Sequence, residues 1–491
     1  MQPTSTTDPA DAVPPADLPA SLRVRYLNLG DDDVIGASCH YLELADTGIV
    51  LDAGMDPEED GFRALPSFKL LDGRPVEHVI VTHAHHDHLG ALPVLVQRFP
   101  QARVHVSGPT ARLADILLPS SARLQKRRLR EGSSTAEPVF DVETAEALSY
   151  LYETHPLDKD FALNAALTPP GHAVTARLYH AGHVLGAVGV FLELDTPDGL
   201  RRIFYTSDVS LQNQVIQPGA EFPRGPLDLL VLETTLGADP DAELRSRKAT
   251  EKAFGEALAR TVERGGVALV PVFALGRAQE VLAMIDRFKR RRLLPADLPV
   301  YTAGSMRALA NVYDQTRHTS PRLDEDFEVT AVDQRRVPRN DRRLPKLLSE
   351  PGIFVVSSGM LFERTLSNKI ATLVAGHEKH SIYFVGFSKE DSPGGRVLAA
   401  AEQRNATGEE VEVEIDTFEG PQPLRCEVER YRFSGHAHRR DLLKVVEDLR
   451  PARVLLVHGD AEAKEWMADN IRFFHPDAEV LIPAHGEVYE V

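Results

Sequence analysis

Short apolar runs alternate with polar turns from residue 22 onward, a spacing typical of β-strands. The segment 89–99 then has apolar residues at helical spacing, and residues 109–165 are predicted to be mostly helical. Strand-like runs return before residue 240, and the turn "TPDG" (196–199) between two of them predicts a hairpin. The predicted strands include "LRVRYLNLG" (22–30), "GIVLDAG" (48–54), "HVIVTHAHHDH" (78–88), "ARLYHAGHVLGAVGVFLELD" (176–195), "RRIFYTSDVS" (201–210) and "LDLLVLETTLG" (227–237).

From about residue 240 the pattern becomes an alternation of strands and helices, which predicts a parallel sheet covered by helices. Helices are predicted at 241–264 and 275–291, with strands such as "GVALVPVF" (266–273) and "GIFVVSSG" (352–359). After residue 425 the first pattern returns, with a helix at 439–449. The sequence therefore predicts an α/β protein in which one domain (22–237 and 426–491) is interrupted by an inserted domain (238–425), after a disordered leader at 1–21.

Composition narrows the class of protein. The 491 residues include no apolar run long enough to span a bilayer, and the N-terminus lacks the basic start and apolar stretch of a signal peptide. Two cysteines argue against a disulfide framework and fit a cytoplasmic location. The net charge of −18 is unfavourable for phosphate binding. Basic clusters at 125–130, 287–295 and 335–346 nevertheless allow a local groove that binds nucleic acid.

The stretch "VTHAHHDHLG" (81–90) carries the strongest chemical signal. His83 and His85 point to the same side of an extended chain because the side-chain period of a strand is two. Asp87 and His88 follow on the turn, so the four side chains can serve two neighbouring metal ions. Imidazole nitrogen and carboxylate oxygen are ligands that zinc accepts.

Further ligands are expected at the ends of other strands. His183 in "HAGHVLGA", Asp208 in "YTSDVS" and His458 in "VLLVHGD" complete the number that two ions need, and a carboxylate such as Asp208 can bridge both ions. Asp52 in "IVLDAG" is expected to orient one of the ligand imidazoles. His40, His86 and His438 are interpreted as structural or solvent-facing.

The ordered set of these residues resembles the metallo-β-lactamase superfamily. "LETTLG" with Glu233, "FSGHAH" with His436, "LLVHG" with His458 and "PVFALGRAQEVL" (271–282) narrow the resemblance to its β-CASP nucleases. That group includes the endonuclease of eukaryotic pre-mRNA 3′-end cleavage, ribonuclease J, and shorter bacterial and archaeal ribonucleases. The chain stops soon after "LIPAHGEVYEV", so the shorter kind, without the C-terminal domain of ribonuclease J, is expected.

The resemblance implies an αββα sandwich interrupted by an α/β β-CASP domain, and it implies two Zn²⁺ ions, with Mn²⁺ as the alternative. One ion would be bound by His83, His85 and His183, and the other by Asp87, His88 and His458. Asp208 would bridge both ions together with a water or hydroxide. His436 would donate a proton to the leaving oxygen and Glu233 would orient it. Residues with catalytic roles would thus be Asp87, Asp208, Glu233 and His436.

The implied activity is hydrolysis of single-stranded RNA, with internal cleavage favoured. A 5′-3′ exonuclease, a DNA-acting relative and a non-catalytic scaffold are the alternatives, and a small-molecule hydrolase ranks below them. Ser358 and Ser434 are candidates for substrate contact. The segments 358–369 and 386–398 depart from the family pattern, which puts substrate contact in question but not the metal chemistry. Oligomeric state is left open, with a homodimer as one option.

Overall fold

The computed structural model describes residues 24–30, 36–45, 47–163, 173–196, 199–240, 246–304, 306–338 and 341–491. The leader predicted at 1–21 lies outside these residues. No helix within the described ranges is long and apolar enough to cross a membrane.

The first domain contains two seven-stranded mixed sheets that pack face to face. The strands of the first sheet are β1 (Val24–Asn28), β2 (His40–Leu44), β3 (Thr47–Leu51), β4 (His78–Val81), β5 (Arg103–Ser107), β6 (Tyr152–His155) and β22 (Val488–Glu490). Those of the second are β7 (Phe161–Ala162), β8 (Val174–His180), β9 (Val188–Thr196), β10 (Gly199–Tyr205), β11 (Leu229–Glu233), β20 (Arg453–Val457) and β21 (Glu479–Leu481). The first sheet has the order β22-β1-β2-β3-β4-β5-β6 and the second has the order β21-β20-β11-β10-β9-β8-β7.

Strand alternation explains how one apolar run serves two cores. In β3, Ile49 and Leu51 face the core between the sheets, whereas Val50 faces the helices on the outer side. Helices also cover the outer face of the second sheet, so the predicted αββα sandwich is confirmed. The helices of this domain are α1 (His86–Leu89), α2 (Leu92–Arg98), α3 (Gly108–Arg130), α4 (Val142–Ala147), α11 (Arg439–Leu449) and α12 (Ala461–Phe474).

The inserted domain has a six-stranded sheet, all of whose pairings are parallel, with helices on both faces. This confirms the predicted parallel sheet. Its strands are β12 (Val267–Pro271), β13 (Val300–Thr302), β14 (Gln334–Arg336), β15 (Gly352–Val356), β16 (Ser381–Phe384) and β19 (Glu427–Arg430), and a separate hairpin joins β17 (Glu412–Glu414) to β18 (Pro421–Pro423). Its helices are α5 (Arg247–Glu263), α6 (Arg277–Arg290), α7 (Met306–Gln315), α8 (Leu344–Leu347), α9 (Leu366–Val374) and α10 (Pro393–Thr407).

Two local expectations need correction. The segment 109–165 is not mostly helical beyond residue 150, because β6 and β7 form edge strands of the two sheets there. Strand β19 pairs with β16 in the inserted sheet, so the chain leaves that sheet only after Arg430. Edge pairing of short polar strands depends on a distant partner, which the local pattern does not reveal. The domain limits as a whole stay predictions.

The inserted domain docks on the first through a buried carboxylate. Glu280 of α6 accepts hydrogen bonds from the backbone amides of Val215, Ile216 and Gln217, at 2.6–3.2 Å. The same loop carries Gln214, whose side-chain amide donates to the backbone carbonyl of His183 at 2.7 Å. The insertion therefore fixes a loop that supports one of the predicted metal ligands.

Candidate metal centre

The predicted ligands converge where the carboxyl ends of several strands meet. β3 and β4 are parallel neighbours in one sheet, and β10, β11 and β20 are parallel neighbours in the other. Asp52 follows β3 and His458 follows β20, and both have a positive φ, of 62° and 53°. These bends leave the regular strand conformation at the point where each side chain turns into the site.

Asp208 is buried, and its two oxygens face two different sets of nitrogen atoms. Oδ2 lies 3.5 Å from Nε2 of His83 and 3.5 Å from Nε2 of His183. Oδ1 lies 3.3 Å from Nε2 of His88 and 3.2 Å from Nε2 of His458. The carboxylate is thus placed as a bridge between two groups of donors.

The donor atoms of the first group are spaced as zinc ligands are, whereas Asp87 lies farther from the other donors of the second group. Nδ1 of His85 lies 3.2 Å from Nε2 of His83 and 3.1 Å from Nε2 of His183. Ligand atoms about 2.0–2.1 Å from a tetrahedral zinc ion lie about 3.3 Å from one another. In the second group, Oδ2 of Asp87 lies 3.8 Å from Nε2 of His458.

Orphaned polar atoms at the centre support the same conclusion. Nε2 of His88, Nε2 of His458 and Oδ1 of Asp208 are buried without a hydrogen-bond partner among the described residues. Unpaired buried polar atoms are destabilising, and a shared ion would satisfy all three at once. The donor set is nitrogen and carboxylate oxygen, so the residues present fit a divalent metal.

Asp52 holds His88 in a fixed orientation. Its Oδ2 accepts a hydrogen bond from Nδ1 of His88 at 2.8 Å and another from the hydroxyl of Tyr205 at 2.9 Å. Its Oδ1 accepts from the backbone amide of Thr82 at 2.7 Å. With Nδ1 engaged in this way, His88 presents Nε2 to Asp208, which is the arrangement that a metal-binding imidazole needs.

Two backbone carbonyls that the sequence analysis did not identify orient two further imidazoles. Nδ1 of His183 donates to the carbonyl of Gly435 at 2.8 Å, and Nε2 of His85 lies 3.4 Å from the carbonyl of Leu275 in the inserted domain. A Cβ atom on Gly435 would lie 3.0 Å from Nδ1 of His183, so the close approach favours glycine. Because every residue has a backbone carbonyl, the residue type does not reveal which carbonyl orients a ligand.

His436 and Glu233 form a pair beside this centre. Nδ1 of His436 lies 3.2 Å from each carboxylate oxygen of Glu233. Glu233 is fully buried and is held by the backbone amides of Val209 and Thr235, at 2.8 and 3.2 Å. The His436 ring also lies 4.6 Å, between centroids, from that of His183.

The protonation states follow from burial and charge. Burial lowers the pKa of His83 and His183 well below the ordinary value, which favours the neutral imidazole that binds a metal ion. Burial would raise the pKa of Asp208, but the neighbouring His458 and His88 outweigh it and hold that pKa well below its usual range. Burial likewise disfavours protonated His436, yet Glu233 and Asp208 raise its pKa to about 9.

The predicted substrate serines lie in different places. Oγ of Ser434 accepts from the backbone amide of His436 at 2.9 Å, so Ser434 is next to the centre. Oγ of Ser358 accepts from the backbone amide of Phe362 within its own loop. His40 is buried and bonded to the hydroxyl of Tyr26 at 2.8 Å, whereas His86 is exposed.

Three family models match the chain in sequence order. The metallo-β-lactamase superfamily matches residues 32–196, the Beta-Casp domain matches 278–397, and the Zn-dependent metallo-hydrolase RNA specificity domain matches 421–483. The metallo-β-lactamase match and the RNA specificity match fall on the two-sheet domain and its boundary, and the Beta-Casp match falls on the inserted domain.

Individual relatives agree with these matches. The chain is 28% identical over 459 residues to transcription termination factor FttA of Methanococcus maripaludis, covering 89% of this chain and 67% of the relative. It is 29% identical over 448 residues to endoribonuclease YSH1 of Eremothecium gossypii, covering 89% of this chain and 55% of the relative. The chain therefore spans about half to two thirds of the length of these relatives.

A solved structure shares the fold. The crystal structure of a protein of unknown function from Enterococcus faecalis matches with a TM-score of 0.53 and 14% identity, covering 96% of this chain and 100% of the other. The three ordered family matches show that the chain contains a metallo-β-lactamase domain, a Beta-Casp domain and an RNA specificity domain of Zn-dependent metallo-hydrolases, and the buried cluster of histidines and aspartates fits the metal-dependent hydrolase that these domains indicate.

Proposed function

We propose that the protein is a dinuclear zinc enzyme that hydrolyses internal phosphodiester bonds of single-stranded RNA. The observation that carries the proposal is Asp208, whose two oxygens face two complete sets of donors, with the His436–Glu233 pair alongside. His83, His85 and His183 would hold one ion and Asp87, His88 and His458 the other, with Asp208 between them; bound ions would supply activation of water and stabilisation of charge on the phosphodiester.

The residues of the chain supply the remaining chemistry. Glu233 holds Nδ1 of His436, which leaves Nε2 of the protonated ring to give a proton to the leaving oxygen. A positioned proton donor contributes about 10²–10⁴-fold to the rate. Asp52, Gly435 and Leu275 keep three of the five ligand imidazoles, those of His88, His183 and His85, in orientation, which limits their reorganisation during the reaction.

RNA is the favoured substrate because residues 421–483 match an RNA specificity domain and relatives are named as endoribonucleases. DNA and 5′-3′ exonucleolytic action are the alternatives. A scaffold without activity is disfavoured, since all seven proposed ligands are present and converge. Zinc is favoured over manganese because histidine nitrogen dominates the donor set. Cytoplasmic location and a homodimer stay predictions.

The test is digestion of matched circular and linear single-stranded RNA, and of a DNA circle, by the zinc-loaded protein. Cutting of the RNA circle is expected, because internal cleavage needs no free end. His436→Ala is expected to keep two zinc ions per chain, measured by elemental analysis, while turnover falls about 10²–10⁴-fold. Digestion of linear RNA alone would contradict the endonuclease, and loss of zinc from His436→Ala would contradict the role of His436.

A further inference from the structure

A cavity beside His436 is not used by the metal centre. It has a volume of about 280 Å³ and lies where the start of α5, the segment 430–438 and the loop 210–212 meet. His436, Ser434 and His438 all contribute to its wall. A volume near the lower end of small-ligand pockets, which begin at about 300 Å³, suits one nucleotide rather than a duplex.

The wall of this cavity is rich in cations. Among the described residues, Arg247, Arg430 and Arg432 line it together with one acidic residue, Asp441. Arg432 is paired with Asp239, which follows β11. Side-chain amide Nε2 of Gln212 donates to the carboxylate of Asp441 at 3.4 Å.

Two side chains of the wall carry unsatisfied polar atoms. Nη1 of Arg247 donates to the carbonyl of Ser434 at 3.2 Å, whereas its Nη2 is buried and has no hydrogen-bond partner among the described residues. Nδ1 of His438 is also buried and has no hydrogen-bond partner among the described residues. Arg247 itself lines the cavity, and an anionic oxygen that reached its guanidinium group would satisfy this unpaired nitrogen, which is otherwise costly to bury.

The position relative to His436 indicates which part of a substrate reaches the cavity. When water adds its oxygen to phosphorus, the P–O bond to the leaving oxygen breaks, and that oxygen keeps the electron pair and takes the proton of His436. The leaving oxygen must therefore lie against His436, and the nucleotide attached to it extends beyond the ring. His436 is part of the cavity wall, so the cavity lies next to the place where that nucleotide would extend.

We propose that this cavity binds the first nucleotide of the leaving strand and that Arg247 binds the phosphate that joins this nucleotide to the next. The inference rests on the proposed phosphodiester hydrolysis and adds a substrate-binding residue to it. A purely structural role for Arg247 is the competing explanation, because its guanidinium lies 5.7 Å from the ring centre of Phe433 and supports the backbone at Ser434.

The experiment removes the negative charge of one linkage at a time and measures the effect on cleavage. Oligoribonucleotides with a single cleavage position carry an uncharged methylphosphonate at successive linkages, with 2′-O-methylation at the modified nucleotide in every member. For the zinc-loaded native protein, the neutral linkage next to the scissile bond on the leaving side is expected to lower kcat/KM about tenfold to a hundredfold. In Arg247→Met that extra penalty is expected to vanish, and in Arg247→Lys it is expected to be reduced.

Arg201→Met is the matched control, because Arg201 lies on β10 of the second sheet and forms an ion pair with Asp228 there. It is expected to keep the full native penalty. A penalty of native size in Arg247→Met would overturn the proposal, as would the absence of any sensitive linkage on the leaving side. Were Arg247→Met to fail to fold, an undiminished penalty in Arg247→Lys would overturn it equally.

A binding measurement separates this inference from the proposed function. Fluorescence anisotropy of the same labelled oligonucleotides is measured with His436→Asn, with and without Arg247→Met. If the native protein cleaves no nucleic acid but the Arg247-dependent charge effect persists in binding, hydrolysis is refuted and the phosphate contact stands. If cleavage occurs but neither cleavage nor binding shows an Arg247-dependent effect, the cavity proposal is refuted and the hydrolysis stands.

Discussion

Substitution of Glu233 by glutamine tests whether this carboxylate sets the acidity of His436. Nδ1 of His436 lies 3.2 Å from both carboxylate oxygens. At that distance a unit charge pair interacts by about 5 kcal/mol at an effective dielectric constant of about 20, as an upper value. Opposite charges this close shift a pKa by about 1–3 units in practice. Glu233→Gln removes the charge but keeps the shape, so the pKa of His436 should fall by that amount.

The assay is the pH dependence of single-turnover cleavage of labelled single-stranded RNA. A proton donor acts only while protonated, so the rate falls as the pH rises through the pKa of His436. Since Glu233 raises that pKa, the falling limb in Glu233→Gln should lie about 1–3 pH units lower than in the native protein. At pH values between the two falling limbs, the rate of the variant should drop about tenfold for each pH unit. At pH values below both falling limbs, the two proteins should have similar rates.

Both proteins are compared at equal metal content, so that the charge of bound ions acts on the pKa of His436 in both pH profiles. Glu233 also accepts the backbone amides of Val209 and Thr235, and glutamine leaves one of them without an acceptor. A loss of about 1–3 kcal/mol in the free energy of unfolding, measured with urea, is therefore expected as well. An unchanged falling limb in a folded, zinc-loaded Glu233→Gln protein would refute the reasoning.

Three further substitutions test the centre and the docking of the inserted domain. Asp208→Ala should lower the occupancy of both metal positions in elemental analysis, because each carboxylate oxygen faces one donor set; two retained ions would contradict the bridge. Asp52→Asn should weaken zinc affinity about 10–100-fold in chelator competition, since it disturbs the hydrogen bond that orients His88. Native affinity would argue against that role. Glu280→Gln should reduce the free energy of unfolding by about 1–3 kcal/mol, because its carboxylate accepts three backbone amides of the adjoining loop. Unchanged urea unfolding would show that these bonds add nothing.

Local pattern was sufficient for much of the fold and for the identity of the candidate ligands. The helix predicted at 439–449 has these bounds in the structure, and the helix predicted at 275–291 spans Arg277–Arg290. His83 and His85 are two residues apart at a strand end, so their shared side follows from backbone geometry alone. The inserted parallel sheet followed from strand–helix alternation, which depends on sequential spacing.

Only the tertiary structure decided which atom of each side chain faces the centre. Nδ1 of His183 is held by the carbonyl of Gly435, 252 residues away in the chain, and no residue type announces a backbone acceptor. The edge strand Tyr152–His155 and the return of the chain after Arg430 likewise depend on partners far along the chain. The cavity at Arg247 exists because the inserted domain packs against the segment that carries His436. Sequence determined the chemistry that is available, because residue identity and short spacing are local. Long-range packing decided its geometry, because distances between side chains from separate strands are set only when the sheets and the inserted domain come together.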